Sequence, residues 1–145
     1  MRIADVLRRK GAVVATLDRS ATIRELVGVL VDQGIGSVVV LSPDGSVAGV
    51  VNERDVVRCL NDQPERTAEQ PVQSIMNVDV VVCAPTDSVD AVLQTMTDRR
   101  IRHLPVLEDG RIVGLVSIGD LVKSRIDDLS HERDQMSAYI SGSPI

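Results

Sequence analysis

The chain has 145 residues, 43% of them hydrophobic and 1% aromatic, with 16 Lys+Arg against 21 Asp+Glu for a formal charge of −5. That is one domain's worth, able to bury about 68–70% of its unfolded surface without a disulfide or metal staple. An acidic chain whose one aromatic ring outside His is Tyr139 has neither a basic surface for duplexes nor a stacking platform for single strands, so nucleic acid is not expected as a partner.

From Met1 to Lys10, apolar and charged residues alternate, and there is no apolar core of a secretion signal. Ile3, Val6 and Leu7 share one helical stripe, which predicts a short N-terminal helix over residues 1–10 that packs on the rest. No apolar run approaches the roughly 18 residues of a membrane span. Cys59 and Cys83 stand far apart behind Val-Val-Arg and Val-Val-Val. Both read as small buried hydrophobes rather than a redox pair, which fits a reducing, cytoplasmic location.

The chain repeats itself. At a shift of 66, Asp32, Ile35, Val40 and Leu41 lie over Asp98, Ile101, Val106 and Leu107. One residue is then lost, and at a shift of 65 Asp44, Gly45, Gly49, Val51, Asp55 and Val57 match Asp109, Gly110, Gly114, Val116, Asp120 and Val122. Each copy reads as strand, helix, strand, strand, helix. In the first, Ala12 to Ala15 is a short apolar strand, and Ile23, Leu26, Val27 and Leu30 make a helical stripe capped by Thr22. Ser37 to Leu41 and Val47 to Val51 then form a hairpin across Pro43-Asp44-Gly45, followed by a helix from Glu53 to Leu60. Residues Asn61 to Gln70 are polar, contain Pro64 and read as a linker.

The second copy repeats the stripe at Val89, Val92, Leu93 and Met96 behind Ser88. Its hairpin runs from His103 to Leu107 and Ile112 to Val116 across Asp109-Gly110, and its closing helix from Ile118 to Asp128. The tail, residues 129–145, keeps Met136, Tyr139 and Ile140 at helical spacing, compatible with a continued helix or with fraying. Each half, at about 50 residues, is marginal alone. The expected fold is therefore an α/β (α+β) unit of two pseudo-symmetric halves that meet at clefts.

Two segments carry candidate chemistry. Ser117-Ile118-Gly119-Asp120 ends a strand and opens a helix, which suits a capping box. It equally suits a nucleoside site, where a carboxylate accepts from ribose hydroxyls and a helix N-terminus attracts phosphate. Asn52-Glu53-Arg54-Asp55 recurs at the same place in the first copy, with Arg54 adding a cation. Arg99-Arg100-Ile101-Arg102-His103-Leu104-Pro105 concentrates positive charge. Arg99 and Arg100 are explained by a solvated helix C-terminus. Arg102 and His103 enter a strand, where they fit either an anionic ligand or a surface ion pair. Ile35, Ile101, Val38 and Pro105 are candidate aliphatic walls for a base, or ordinary core. No catalytic motif or metal-ligand spacing is present, so neither an enzyme nor a metal site is expected.

The duplicated unit, with Gly49-Val50-Val51-Asn52-Glu53-Arg54-Asp55 and Arg102-His103-Leu104-Pro105-Val106 through Gly114-Leu115-Val116-Ser117-Ile118-Gly119-Asp120, resembles a pair of cystathionine-beta-synthase-type (CBS) domains, a Bateman module of the stand-alone bacterial or archaeal type. The repeats would span residues 11–61 and 75–128, with residues 62–74 between them. The resemblance implies a regulatory module, with no cofactor required, that binds an adenosyl ligand (AMP, ADP, ATP, NADH or S-adenosylmethionine) between the repeats. It implies a homodimer through the repeat helices and signalling to a separate effector protein; a ligand-free dimerisation module is the alternative. It also implies Asp55 and Asp120 as ribose-binding residues, Ser117 as the start of the Ser/Thr-x-x-Asp motif, and Arg102 and His103 at the phosphate. Thr16 and Cys83 would lie beside the strand flanking adenine. Asn52 departs from the Ser or Thr of that motif, and Gly36 and Ser37 replace the basic pair in the first copy, so two equal sites are not implied.

Overall fold

In the computed structural model, which describes residues 1–142, the chain forms α1 (Ile3–Lys10), β1 (Thr16–Asp18), α2 (Ile23–Gln33), β2 (Ser37–Leu41), β3 (Val47–Asn52), α3 (Glu53–Asp62), α4 (Val89–Arg99), β4 (His103–Glu108), β5 (Arg111–Ser117) and α5 (Ile118–Ile140). Residues 143–145 of the expected tail lie outside the described residues. The two copies fold alike. Thr22 and Ser88 cap α2 and α4 by accepting from the amides of Glu25 and Ala91 at 3.2 and 3.1 Å. Both hairpins are antiparallel, and both shift register by one residue near the turn, between Val40 and Leu41 and between Val106 and Leu107.

Two expectations are corrected. The opening strand is Thr16–Asp18, paired in parallel with β2, rather than Ala12 to Ala15. Before Thr16 only the Ala15 carbonyl reaches the ladder, accepting from Val39, while Val13 is 96% exposed. This stretch spans from α1 to β1 and leaves its apolar side chain in solvent. In the second copy the same strand shrinks to a single parallel bridge between Cys83 and Val106. The stretch after α3 is also more than a tether. It contains 3-10 turns at Thr67–Glu69 and Val72–Ser74, and Thr67 and Val72 are buried. The last helix runs on to Ile140, with Met136, Tyr139 and Ile140 exposed.

The two cores are completed crosswise. Ile3, Val6 and Leu7 of α1 join the second copy's core with Val89, Val92, Met96, Leu104, Val106, Val116 and Leu121. Val72, Ile75 and Met76 join the first copy's core around Ile23, Leu26, Val38, Val40, Val51 and Val56. The hydrogen bonds follow the same exchange. The Ile3 amide donates to the Asp87 carbonyl at 2.9 Å and the Val72 amide to the Ala21 carbonyl at 2.7 Å. The Val89 amide donates to Met1 and the Ile23 amide to Gln70. Ile3 and Val72 are therefore equivalent positions, related by a shift of 72 − 3 = 69, each seated on the other half.

Close packing of the exchanged segments explains the repeated Gly49 and Gly114. A Cβ on Gly114 would lie 2.6 Å from a Leu7 methyl, and one on Gly49 would lie 2.7 Å from the Asn77 carbonyl oxygen and 2.9 Å from the Met76 sulfur. Asn77 is backbone, bonded to Val50 in both directions, and cannot give way as a side chain can. Gly49→Ala should therefore lower the unfolding free energy by about 1–3 kcal/mol, the usual range for overpacking, in a urea titration, and Gly114→Ala by less. An unchanged midpoint for Gly49→Ala would show that the 72–77 segment does not lie against β3.

Candidate functional site

Register places the helix N-termini beside the strand starts. Ser37 pairs with Asn52 across the first hairpin, and His103 with Ser117 across the second. The first amide of each closing helix is tied to the residue preceding the strand, Glu53 to the Gly36 carbonyl at 3.1 Å and Ile118 to the Arg102 carbonyl at 2.8 Å. Both helices carry a full capping box. The Asn52 side chain accepts from the Asp55 amide at 3.1 Å, while the Asp55 carboxylate accepts from the Asn52 amide at 2.9 Å. Ser117 and Asp120 repeat this pair of bonds at 3.1 and 2.9 Å.

At the seam between the halves lies a cleft of about 250 Å³, near the lower end for small-molecule sites. Its first wall is the start of α3 with Asn52, Glu53 and Arg54, together with Gly36, Ser37 and Val50. Its second wall is Arg100 to His103 with Pro105, and the segment from Asn77 to Val81 crosses between them. The cleft thus brings together Asn52, Arg54, Ile101, Arg102, His103 and Pro105 of the residues singled out from sequence. Arg100, read as a solvated helix end, lines the cleft instead.

The other candidates lie elsewhere. Val38 is fully buried in the first core, with Ile35 packed against that core. Thr16 is exposed on β1. Cys83 is a free, buried thiol in the second core, where burial, aided by the nearby Asp87, pushes it up to about 12. It packs as the apolar residue the sequence predicts. Asp55 lines a separate groove with Arg58, Cys59 and Gln70.

Ser117 and Asp120 belong to the second copy's helix start, where a residue that sequence reasoning missed takes the carboxylate. Lys10, the last residue of α1, places Nζ 2.6 Å from Asp120 Oδ2 and 2.8 Å from the Leu115 carbonyl oxygen. Under the shift of 69 the equivalent of Lys10 is Asp79. Asp79 cannot bridge to Asp55, and it lines the open cleft. The signal was the shared stripe of Ile3, Val6 and Leu7 with Val72, Ile75 and Met76, which sets this second register.

Electrostatics distinguish the two helix starts. Partial burial pushes the Asp120 carboxyl up, but the hydrogen bond from Lys10, the Ser117 amide and the Lys10 charge outweigh it and hold Asp120 below its ordinary 3.8. His103 is held below its ordinary value chiefly by burial; Asp120 and Glu53 oppose this, while Lys10 and Arg102 add to it. His103 therefore senses charge from both helix starts. Among the described residues no three or more His, Cys, Asp or Glu side chains converge as a metal site, and no helix is long and apolar enough to cross a membrane.

Because the folded carboxyl is lowered, Asp120 contributes stability above its ordinary value and loses it as pH falls through the lowered one. The side chains of Lys10 and Asp120 are 35% and 27% exposed, so solvent screening limits the pair to about 1 kcal/mol. Asp120→Asn should lower stability by that order at neutral pH, and its difference from wild type should shrink below pH 3.8. A difference that persists unchanged in acid would place the effect in the cap rather than the ion pair.

Comparison with known proteins agrees with this architecture. The CBS domain family model matches residues 3–62 and 72–127, and so includes both exchanged segments. The chain is 32% identical over 97% of its length to a mitochondrial CBS domain-containing protein of Arabidopsis thaliana, spanning 72% of that protein. It spans only 41% of a 31% identical protein from Thermofilum pendens. Among solved structures, a CBS-domain containing protein from Agrobacterium tumefaciens superposes with a TM-score of 0.80 at 40% identity, covering 86% of this chain and 92% of that one. A CBS domain pair solved with 5'-methylthioadenosine and S-adenosyl-L-methionine shares the fold, with a TM-score of 0.77 at 22% identity over 88% of this chain and 98% of that one. With two matched copies, crosswise cores and this likeness, the chain belongs to the CBS domain family as a CBS pair.

Proposed function

We propose that the chain is a regulatory sensor that binds an anionic adenosyl nucleotide in the open cleft and passes the bound state to a separate effector protein. The observation that carries this reading is the meeting of two unlike faces in one cleft: the N-terminus of α3 with Arg54 from one half, and Arg102 with His103 from the other. A helix N-terminus and arginine forks both favour phosphate. Val50, Val81, Ile101 and Pro105 offer aliphatic walls for adenine, and Glu53 and Asp79 supply carboxylates for ribose hydroxyls. A CBS pair of the same fold that holds adenosyl compounds supports the ligand class. At the second helix start, a ribose would compete with Lys10 and the Ser117 amide for Asp120 Oδ2. No cofactor is needed, and the role is sensing rather than catalysis.

A thermal-shift panel of AMP, ADP, ATP and S-adenosylmethionine tests the reading. A ligand at about 100 times its dissociation constant adds about 2.7 kcal/mol, which moves the melting temperature visibly. Arg102→Ala should remove most of that shift, whereas Asp120→Asn should leave it largely intact. No shift with any adenosyl compound would favour a ligand-free dimerisation module.

That second reading has its own observation. Val57 and Leu60 on α3 and Val122, Ile126 and Leu129 on α5 are exposed, and Val57 and Val122 are equivalent in the two copies. Two such apolar helix faces suit a homodimer formed through the repeat helices. Val57→Glu combined with Val122→Glu should convert a dimer to a monomer in sedimentation experiments. A wild-type monomer at micromolar concentration would remove the dimer from the proposal.

A further inference from the structure

We propose that Arg100 is an anion-holding residue of the open cleft, kept there at the expense of its own backbone; this rests on the reading of the cleft as a site for an anionic ligand. Arg100 ends α4 in the left-handed region, at φ 55° and ψ 42°. The equivalent residue ending α2 is Gly34, at φ 62° and ψ 39°. Glycine adopts this conformation freely, whereas a side chain brings Cβ too close to the following carbonyl oxygen. The two copies need the same turn, and the second makes it with a residue poorly suited to it. Strain of this kind concentrates where a side chain has a use.

Helix-dipole complementation does not account for the choice. Arg99 already supplies a cation in the last turn of α4, and a dipole requires no residue in the left-handed region. The cleft does account for it. Arg100 lines the same walls as Arg54 and Arg102. Among the described residues none of these three side chains makes an ion pair or a hydrogen bond. An anion entering the cleft would give each of these exposed guanidinium groups a charge-assisted partner. Glu53 and Asp79 line the cleft too but form no bridge to these arginines among the described residues.

Strain and ligand binding make opposite demands at this position, and Arg100→Gly separates them. Calorimetric titration of the full chain with ADP and, separately, with inorganic pyrophosphate reads binding; melting without ligand reads stability. Arg100→Gly should melt no lower than wild type, yet bind both probes about tenfold more weakly, the scale of one lost charge-assisted contact. Arg100→Lys, which keeps the charge, should recover part of that loss. An Arg100→Gly chain that binds both probes like wild type overturns the proposal while leaving the nucleotide reading intact, and one that melts well below wild type overturns it by making the residue structural. If pyrophosphate binds and Arg100→Gly weakens it while no adenosyl compound binds, Arg100 keeps its role and the nucleotide reading fails. If neither probe binds wild type, both fail.

Discussion

Each half of this chain is finished by the segment that leads into the other. The burial of Ile3, Val6 and Leu7 in one core and of Val72 in the other means that separating the halves would expose these side chains, at about 1.5–3 kcal/mol for each one fully buried. The backbone enforces the same exchange, because the amides of Ile3 and Val72 are each bonded to the loop before the other half's first helix. The seam is therefore not a loose contact between two small domains. It is built into both cores, and a cleft located there has walls that cannot drift apart without unfolding something.

On that symmetric frame the differences are differences of charge. The same backbone position carries Lys10 on one side and Asp79 on the other, so Asp120 is bridged by the segment that packs across from the other half, whereas among the described residues the cation at Asp55 is only Arg58 of its own helix, at 4.0 Å. The residues facing the seam are Gly36 and Ser37 in one copy and Arg102 and His103 in the other. Helix ends that share one dihedral geometry carry Gly34 and Arg100. Duplication supplied two equivalent places, and substitution at a few positions collected the cations around one of them. Burial holds His103 below its ordinary value, and Arg54, Arg100 and Arg102 share its cleft with Glu53 and Asp79.

Much of this was legible in the residues because the repeat is dense. Ten identities in register, two Asp-Gly turns and two capped stripes locate both helix-hairpin-helix units to within a residue or two at most boundaries. The opening strand was misplaced because Ala12 to Ala15 is apolar without being buried. Its composition reflects a short span between α1 and β1, and composition alone does not report which stretch finds a partner strand. The crosswise packing escaped because the segments concerned obey a shift of 69 rather than 65 or 66, and only their i, i+3, i+4 spacing connects them. Lys10 and Arg100 were missed for the same kind of reason. The first reaches Asp120 across 110 residues of sequence, and the second is distinguished by a dihedral angle. For Ile35 and Val38, left open between cleft wall and ordinary core, the structure favours the core, where an aliphatic residue near a cleft in sequence is most often found.

The same architecture determines how a bound ligand could be felt elsewhere. The first turn of α3 forms a wall of the cleft, and the outer face of the same helix carries the exposed Val57 and Leu60. Under the proposed reading, a phosphate held between Arg54 and Arg102 would draw that turn toward β4, and a helix of ten residues would respond as a rigid rod. Its inner face is anchored by Val56 and Cys59 in the first core, so the response open to it is a small pivot that shifts the exposed side chains relative to those of α5. Such a pivot couples ligand to surface only if the ligand binds one helix position more tightly than the other. An anion shared by Arg54 and Arg102 would supply that difference under the same reading, because its contacts with both walls depend on where the first turn of α3 sits.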